Sequence, residues 1–153
     1  MPKELIEKLR ESGKYGQGFA TAERIQASML DMAYHVIKEI PADFDIIKFE
    51  ESVIKRLGAL SQIPPRYRTT YFNHTMGGGY TAGYYSYMWA EVLDADAYQA
   101  FIETGNIFDS ETAAKFRKYV LTPGGIEDAM VMYTNFRGAE PGVEPLLKNR
   151  GLN

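Results

Sequence analysis

The stretch from His74 to Leu93, HTMGGGYTAGYYSYMWAEVL, carries one of the two histidines of the chain, three consecutive glycines, four tyrosines and the only tryptophan. A helix that merely fills a core needs neither glycines ahead of it nor hydroxyl groups along its side. Glycine has no Cβ, so it reaches backbone conformations closed to other residues and lets a ligand approach the main chain. The stretch therefore predicts a ligand-binding glycine loop formed by Gly77, Gly78 and Gly79.

The aromatic residues after the glycines fall on two faces of a predicted helix. One face combines three phenols with a carboxylate: Tyr80, Tyr84, Tyr87 and Glu91. The opposite face is the predicted core contact: Tyr85, Met88, Trp89 and Val92. Because buried phenols need hydrogen-bond partners, the phenol face is predicted to line a polar cleft. Simple packing of the three rings, with their hydroxyls at the rim, is the alternative.

His74 stands just before the glycine loop. An imidazole, a glycine loop and phenols together supply hydrogen-bond donors that suit an oxyanion. No nucleophile accompanies these donors, because the chain has no cysteine and shows no serine elbow. The set is therefore predicted to be the supporting half of an active site.

Two other motifs compete for a functional interpretation. The spacing Gly77-x-Gly79-x-x-Ala82 matches the loose dinucleotide fingerprint, but that fold requires a second parallel strand after the helix, and the pattern stays helical. His35 and Glu39 are spaced one helical turn apart and would face one metal, yet two ligands do not close a zinc site. A half-buried histidine on an amphipathic helix is the alternative, and no metal site is predicted in this chain.

Helical periodicity dominates the rest of the sequence and predicts an all-α fold with long loops. Thr21 is the predicted cap of a long amphipathic helix that Pro41 ends, and YRTTYF is a predicted short extended segment. The predicted helices cover residues 2–12, 21–40, 45–60, 80–92, 95–103, 111–121, 128–136 and 145–149.

Composition excludes several classes of protein. A chain of 153 residues with 45% hydrophobic residues is typical of one soluble globular domain, predicted to span residues 1–153. The net charge of −3 argues against a nucleic-acid binder. No apolar run approaches the roughly 20 residues of a membrane span, and the N-terminal segment lacks a signal-peptide core, so a cytoplasmic protein is predicted.

The segment FNHTMGGGYTAGYYSYMWAEVLDADAY resembles the C-terminal signature of the thimet-oligopeptidase and peptidyl-dipeptidase family of zinc metallopeptidases. The flanking segments GFATAERIQASMLDMAYH, NIFDSETAAKFRKYVLTPGG and FRGAEPGVEPLLKNRGL resemble it too, so the resemblance covers nearly the whole chain. The number of residues between His74 and Tyr80 is more like that in the bacterial peptidyl-dipeptidases than that in the animal oligopeptidases.

This resemblance implies a zincin-like, almost entirely helical fold with a deep channel between two halves, where an HExxH helix and a downstream glutamate bind zinc. It implies that His74 and Tyr87 stabilise the tetrahedral intermediate. Tyr80 would contact the substrate or intermediate, Tyr84 would line the same channel wall, and the glycine loop would adapt the channel to different peptides. HExxH is absent from this sequence, so the resemblance implies a C-terminal fragment, inactive alone, whose zinc is bound by residues missing here.

Three functional hypotheses follow. The chain is the C-terminal part of a peptidase that releases dipeptides from small peptides, a non-catalytic helical module that binds peptides, or one subunit of a split peptidase. In the first hypothesis, Tyr80 or Arg66 is the candidate partner of a substrate carboxylate. Helix faces that would lose their cover without the N-terminal half predict self-association of the isolated chain.

Overall fold

The computed structural model describes residues 1–152, and these residues form helices and loops with no β-strand among them. The all-α prediction is confirmed. The chain divides into two compact units, Met1–Tyr87 and a second unit that begins at Met88; one domain over residues 1–153 stays a prediction. No helix within residues 1–152 is long and apolar enough to cross a membrane. The cytoplasmic location stays a prediction.

The first unit contains four α-helices and one 3₁₀ turn. The helices are α1 (Lys3–Ser12), α2 (Gln17–His35), α3 (Ile46–Arg56) and α4 (Asn73–Met76), and the 3₁₀ turn is Thr69–Tyr71. Asp45 begins α3, because its carboxylate accepts hydrogen bonds from the backbone N–H groups of Ile47 at 3.0 Å and Lys48 at 3.1 Å. These bonds favour the charged carboxylate and lower the pKa of Asp45.

The second unit consists of most of one long helix and of the shorter helices that follow it. These are α5 (Ser86–Glu103), α6 (Ser110–Phe116), which continues into a π-helical turn at Arg117–Leu121, α7 (Ala129–Arg137) and α8 (Glu144–Arg150). Carboxylates begin α6 and α7: Asp109 accepts from the Thr112 amide at 2.8 Å, and Asp128 accepts from the Met130 amide at 2.9 Å. The cap of α6 is therefore Asp109, one residue before Ser110, which the serine followed by the acidic Glu111 predicts as the cap.

Several predicted boundaries are wrong for identifiable reasons. The long helix begins at Gln17, after Gly16 in a left-handed conformation, and ends at His35, well before Pro41. The predicted extended segment YRTTYF contains the 3₁₀ turn instead, because Glu50 binds the Thr69 backbone. The helices predicted at 80–92 and 95–103 are one helix, α5, which starts only at Ser86.

Helix α2 turns a mixed face to the interior of the first unit, where polar residues lie beside the fully buried Ala27 and Leu30. Gln26, Ser28 and Asp31 are buried, whereas Ile25, Met29, Met32 and Val36 are exposed. The interior neighbour of α2 is irregular backbone, whose polar groups need hydrogen-bond partners. The Gln26 side chain, for example, donates from Nε2 to the Ile63 carbonyl oxygen at 2.9 Å. The amphipathic pattern of this helix therefore does not mark its buried face.

A buried carboxylate on α3 fixes the segment that leads into α4. Glu50 accepts hydrogen bonds from the Thr69 amide at 2.8 Å and the Thr69 hydroxyl at 2.7 Å, and it pairs with Arg68. The Tyr34 hydroxyl lies 2.9 Å from the Thr69 hydroxyl oxygen, so α2 joins the same network. Residues 68–72 are therefore held against α2 and α3 before the chain enters α4.

The second unit is held by a comparable network between α5 and α7. The buried Asp96 carboxylate accepts from the Tyr133 hydroxyl at 2.7 Å and from the Arg137 Nε at 3.2 Å. Arg137 also donates two hydrogen bonds of 2.8 Å to Glu103. Burial, followed by the hydrogen bond to Asp96, raises the pKa of Tyr133.

We expect Tyr133→Phe to lower the free energy of unfolding by about 1.5–3 kcal/mol, the usual contribution of a hydrogen bond to a charged group. The raised pKa of Tyr133 contributes stability that is present below the unfolded-state pKa of about 10 and is lost as pH rises above it. Urea denaturation between pH 7 and pH 11 measures both effects. Tyr98→Phe, an exposed phenol on α5, is the control. A variant with unchanged stability and an unchanged alkaline slope would contradict the expectation.

Candidate functional site

The glycine loop follows α4 and turns back on it. The Tyr80 amide donates to the His74 carbonyl oxygen at 3.1 Å, which closes the loop. A Cβ at Gly78 would lie 2.7 Å from the same oxygen, whereas Gly79 has open space around it. None of the three glycines has a positive φ. The prediction that these glycines adopt unusual backbone conformations is therefore wrong. Glycine is required at position 78 because its own backbone lies too close to the His74 carbonyl oxygen to leave room for a Cβ.

Residues on both sides of the glycine loop are tied to one carboxylate on α2. Asp31 is fully buried and accepts through Oδ1 from the Thr75 hydroxyl at 2.6 Å and the Ala82 amide at 3.0 Å. Its Oδ2 accepts from the Tyr84 amide at 2.9 Å. Among the described non-glycine residues, Ala82 alone has a positive φ, of 53°. The His35 Nδ1 lies 2.9 Å from Asp31 Oδ1.

The loop brings His74 together with the predicted site tyrosines. The His74 ring centroid lies 5.7 Å from that of Tyr84, 6.0 Å from that of Tyr80 and 6.4 Å from that of Tyr87. Tyr80 and Tyr87 lie 4.8 Å apart. Tyr67 adds a fifth ring, 4.8 Å from His74. These five residues form one group, called the aromatic cluster below.

The members of the aromatic cluster differ in exposure. Tyr84 is 8% exposed and packs in the core of the first unit, with its ring 5.0 Å from that of Phe72. Tyr80 and Tyr87 are each 39% exposed. Within residues 1–152 the His74 imidazole has ring contacts but no hydrogen-bond partner. The cluster therefore has a packed base and an open side that presents an imidazole and two phenols.

The prediction of two helix faces, one with phenols and one facing the core, is wrong. Tyr80 and Tyr84 precede α5, so only Tyr87 of the three phenols lies on it. On the predicted core face, Tyr85 is 53% exposed and Trp89 is 45% exposed, and only Val92 is buried. The fourth member of the phenol face belongs to the second unit: Glu91 pairs there with Arg150.

Raised pKa values keep the hydroxyl groups of Tyr84 and Tyr87 protonated at neutral pH. A hydrogen bond to the Tyr80 hydroxyl, together with partial burial and neighbouring phenols, raises the pKa of Tyr87 to about 12. Burial, followed by the neighbouring Tyr67, raises the pKa of Tyr84. A neutral phenol donates one hydrogen bond, so the Tyr87 hydroxyl can donate to a negatively charged oxygen that replaces Tyr80 as its acceptor.

The described residues do not fit a zinc ion. No group of three or more histidine, aspartate or glutamate side chains among them is arranged to hold a metal. The pairing proposed for His35 and Glu39 fails because α2 ends at His35, whose Nδ1 lies against Asp31. No step through a metal is therefore assigned to this chain's own residues.

The sequence model of peptidase family M3 matches residues 1–152. The chain belongs to peptidase family M3. Dipeptidyl carboxypeptidase of Escherichia coli K12 is 40% identical over 154 residues, which cover 100% of this chain and 22% of that protein. Oligopeptidase A of the same organism is 36% identical, over 99% of this chain and 22% of that protein. Saccharolysin of Saccharomyces cerevisiae is 28% identical, over 99% and 21%. This M3 chain thus spans about a fifth of the length of these relatives.

Three residues of this M3 site escape prediction from the sequence: Asp31, Thr75 and Tyr67. The one available signal is a carboxylate inside the apolar run MLDMAY, where a buried charge requires partners. Nothing in the sequence distinguishes Thr75, which follows His74, as a site residue. The sequence distance from Tyr67 to the glycine loop fits no helical spacing that would group the two. The structure therefore extends the predicted set and leaves the roles of His74, Tyr80, Tyr84 and Tyr87 as predictions.

We expect Gly78→Ala to destabilise the chain by about 1–3 kcal/mol, the usual cost of overpacking, because the new methyl group would meet the His74 carbonyl oxygen. Gly79→Ala is the matched control, since a Cβ there meets nothing within 4 Å and its φ is not in the left-handed region. Thermal unfolding of both variants measures the difference. Equal stability of the two would show that the close approach at Gly78 is not a constraint.

Proposed function

We propose that this chain forms the oxyanion-stabilising channel wall of an M3 peptidase that releases dipeptides from small peptides. The observation that carries the proposal is the open side of the aromatic cluster, where the His74 imidazole meets the phenols of Tyr80 and Tyr87. The 40% identity to a protein named dipeptidyl carboxypeptidase supports this substrate class.

Each donor has a distinct place in the proposed reaction. The His74 imidazole and the Tyr87 hydroxyl donate to the oxygen that becomes negatively charged when the peptide carbonyl is attacked. Tyr80, hydrogen-bonded to Tyr87, contacts the substrate or intermediate beside it. Tyr84 lines the base of the same wall, and its packing against Phe72 supports the other rings. In this proposal the family's zinc chemistry is supplied by residues other than those described.

The carboxylate of a departing dipeptide requires a cation or a donor. Arg66 is exposed, and its guanidinium carbon lies 5.9 Å from the centre of the Tyr67 ring, which belongs to the aromatic cluster. A positive charge there would attract a carboxylate at the edge of the wall. We therefore retain Arg66, with Tyr80, as the candidate carboxylate partner.

The rest of an M3 peptidase is the proposed partner of the exposed helix faces. In the first unit, Ile25, Met29 and Val36 form an apolar stripe on the outside of α2, and Tyr85 is exposed as well. In the second unit, Trp89 lines an apolar pocket of about 480 Å³ with Phe116, Val120 and Met130. Apolar surfaces of this kind usually pack on another polypeptide.

The test of the proposed activity is a chimera in which this chain replaces the matching 154 residues of the E. coli dipeptidyl carboxypeptidase. We expect the chimera to cleave a quenched-fluorescence peptide and the isolated chain to show no turnover. Tyr87→Phe in the chimera should lower kcat by about 10²–10³ with little change in KM, the usual loss for one oxyanion donor.

Tyr85→Phe is the matched control, because Tyr85 lies next to the same helix end, is 53% exposed and is not one of the five residues of the aromatic cluster. Both variants must first unfold at the same temperature as the unmodified chimera. Equal, small effects of the two substitutions on kcat would mean that the tyrosines only pack together, and the proposed role of the wall would be wrong.

We expect the isolated chain to form dimers or larger species, because the α2 stripe is exposed. Met29→Lys places a charge in the middle of the stripe and should shift the population toward monomer. Lys38→Met, which adds no charge to the stripe, should not. Light scattering coupled to size exclusion, at several concentrations, gives the mass. A monomeric unmodified chain at high concentration would refute the expectation.

A further inference from the structure

We propose that Asp31 is the positioning residue of the channel wall: its buried carboxylate ties α4, which carries His74, to the segment that carries Tyr84, and thereby assembles the aromatic cluster. This inference rests on the proposed function for its catalytic meaning and adds a residue of α2 to that site. Its geometric content concerns only the fold of the first unit.

The contacts of Asp31 bracket the glycine loop. Thr75 follows His74 immediately, and its hydroxyl donates to Oδ1 at 2.6 Å. Ala82 and Tyr84 lie on the far side of the loop, and their amides donate to Oδ1 at 3.0 Å and to Oδ2 at 2.9 Å. One carboxylate therefore fixes the distance between the entry and the exit of the loop, and with it the separation of the His74 and Tyr84 rings.

Asp31 also stabilises the left-handed backbone conformation of Ala82, which is unfavourable without such a contact. The positive φ of Ala82 is unfavourable for a residue with a Cβ and persists only where surrounding contacts enforce it. The Ala82 amide is one of the groups bound to Asp31. A left-handed residue at this point reverses the chain, so that Tyr84 enters the core while Tyr80 remains at the open side.

Every group that faces the carboxylate from the loop is a hydrogen-bond donor. A carboxylate accepts at both oxygens, whereas the amide of an asparagine accepts at one and donates at the other. In Asp31→Asn, an oxygen placed toward Thr75 and Ala82 leaves the NH₂ group facing the Tyr84 amide, donor against donor. The opposite orientation leaves two donors unmatched. The substitution preserves shape and removes one specific attachment of the loop.

The test uses the isolated chain and two readouts of the loop. Amide hydrogen exchange at Tyr84 and Ala82, followed by NMR, reports on attachment to Asp31. The spectrophotometric titration of Tyr87, obtained by subtracting the Tyr87→Phe variant, reports on the cluster, because its pKa of about 12 depends on the hydrogen bond to Tyr80. Circular dichroism verifies that the helices remain.

For Asp31→Asn we expect at least tenfold faster exchange at Tyr84 and a fall in the pKa of Tyr87 toward the ordinary value of about 10, with helix content retained. Ser28→Ala is the matched control. Ser28 is buried on the same helix and donates only to the Arg24 carbonyl oxygen within α2, so both readouts should remain within twofold of the unmodified chain.

Exchange at Tyr84 within twofold of the unmodified chain in Asp31→Asn, or equal effects of Asp31→Asn and Ser28→Ala, would overturn the proposal. If Asp31→Asn does not fold, Thr75→Val decides in its place. That variant removes one donor to Oδ1 and should speed amide exchange at Ala82 several-fold. Unchanged exchange at Ala82 would also overturn the proposal. Neither readout requires peptidase activity. If Tyr87→Phe did not change kcat in the chimera, the proposed function would be contradicted, but this inference about Asp31 would not be affected.

Discussion

The buried carboxylate of Asp31 is the constraint on which the first unit depends. Removing a charge from water is costly unless the charge is paired and fully hydrogen-bonded. Here the cost is offset by the Thr75 hydroxyl and two backbone amides, which donate to its oxygens over distances of 2.6, 3.0 and 2.9 Å. Hydrogen bonds to an ionised acceptor are stronger than neutral ones, so this arrangement both stabilises and specifies the loop.

The same physical requirement explains why α2 buries polar side chains beside Ala27 and Leu30. Residues 63–84 contain little regular structure, and their backbone N–H and C=O groups cannot all bond to one another. Side chains of the neighbouring helices supply the missing partners: Asp31 for Ala82 and Tyr84, Gln26 for Ile63, and Glu50 on α3 for Thr69. Ala27 and Leu30 share this buried face, whereas Ile25 and Met29 lie outside it.

The sequence predicts the class of fold and the content of the site better than it predicts the local geometry. The all-α prediction is confirmed, and the predicted site residues His74, Tyr80, Tyr84 and Tyr87 do lie together. They come together for another reason than the helical spacing that grouped them, because the chain reverses at Ala82 before α5 begins. Periodicity describes contacts within one helix. It carries no information about a carboxylate on α2 that binds the loop from more than 40 residues away.

The position of Asp31 has a consequence for the order in which the molecule assembles. Its partners Thr75, Ala82 and Tyr84 are separated from it by 44, 51 and 53 residues. Helices form within about a microsecond from local contacts, whereas such distant partners meet only after a long loop has closed. Helix α2 is thus formed before the wall exists. Because Asp31 lies near the C-terminal end of α2, the loop depends on a part of that helix that also contacts α3, through the rings of Tyr34 and Phe49. The site is therefore completed only after the helices that carry its residues have formed.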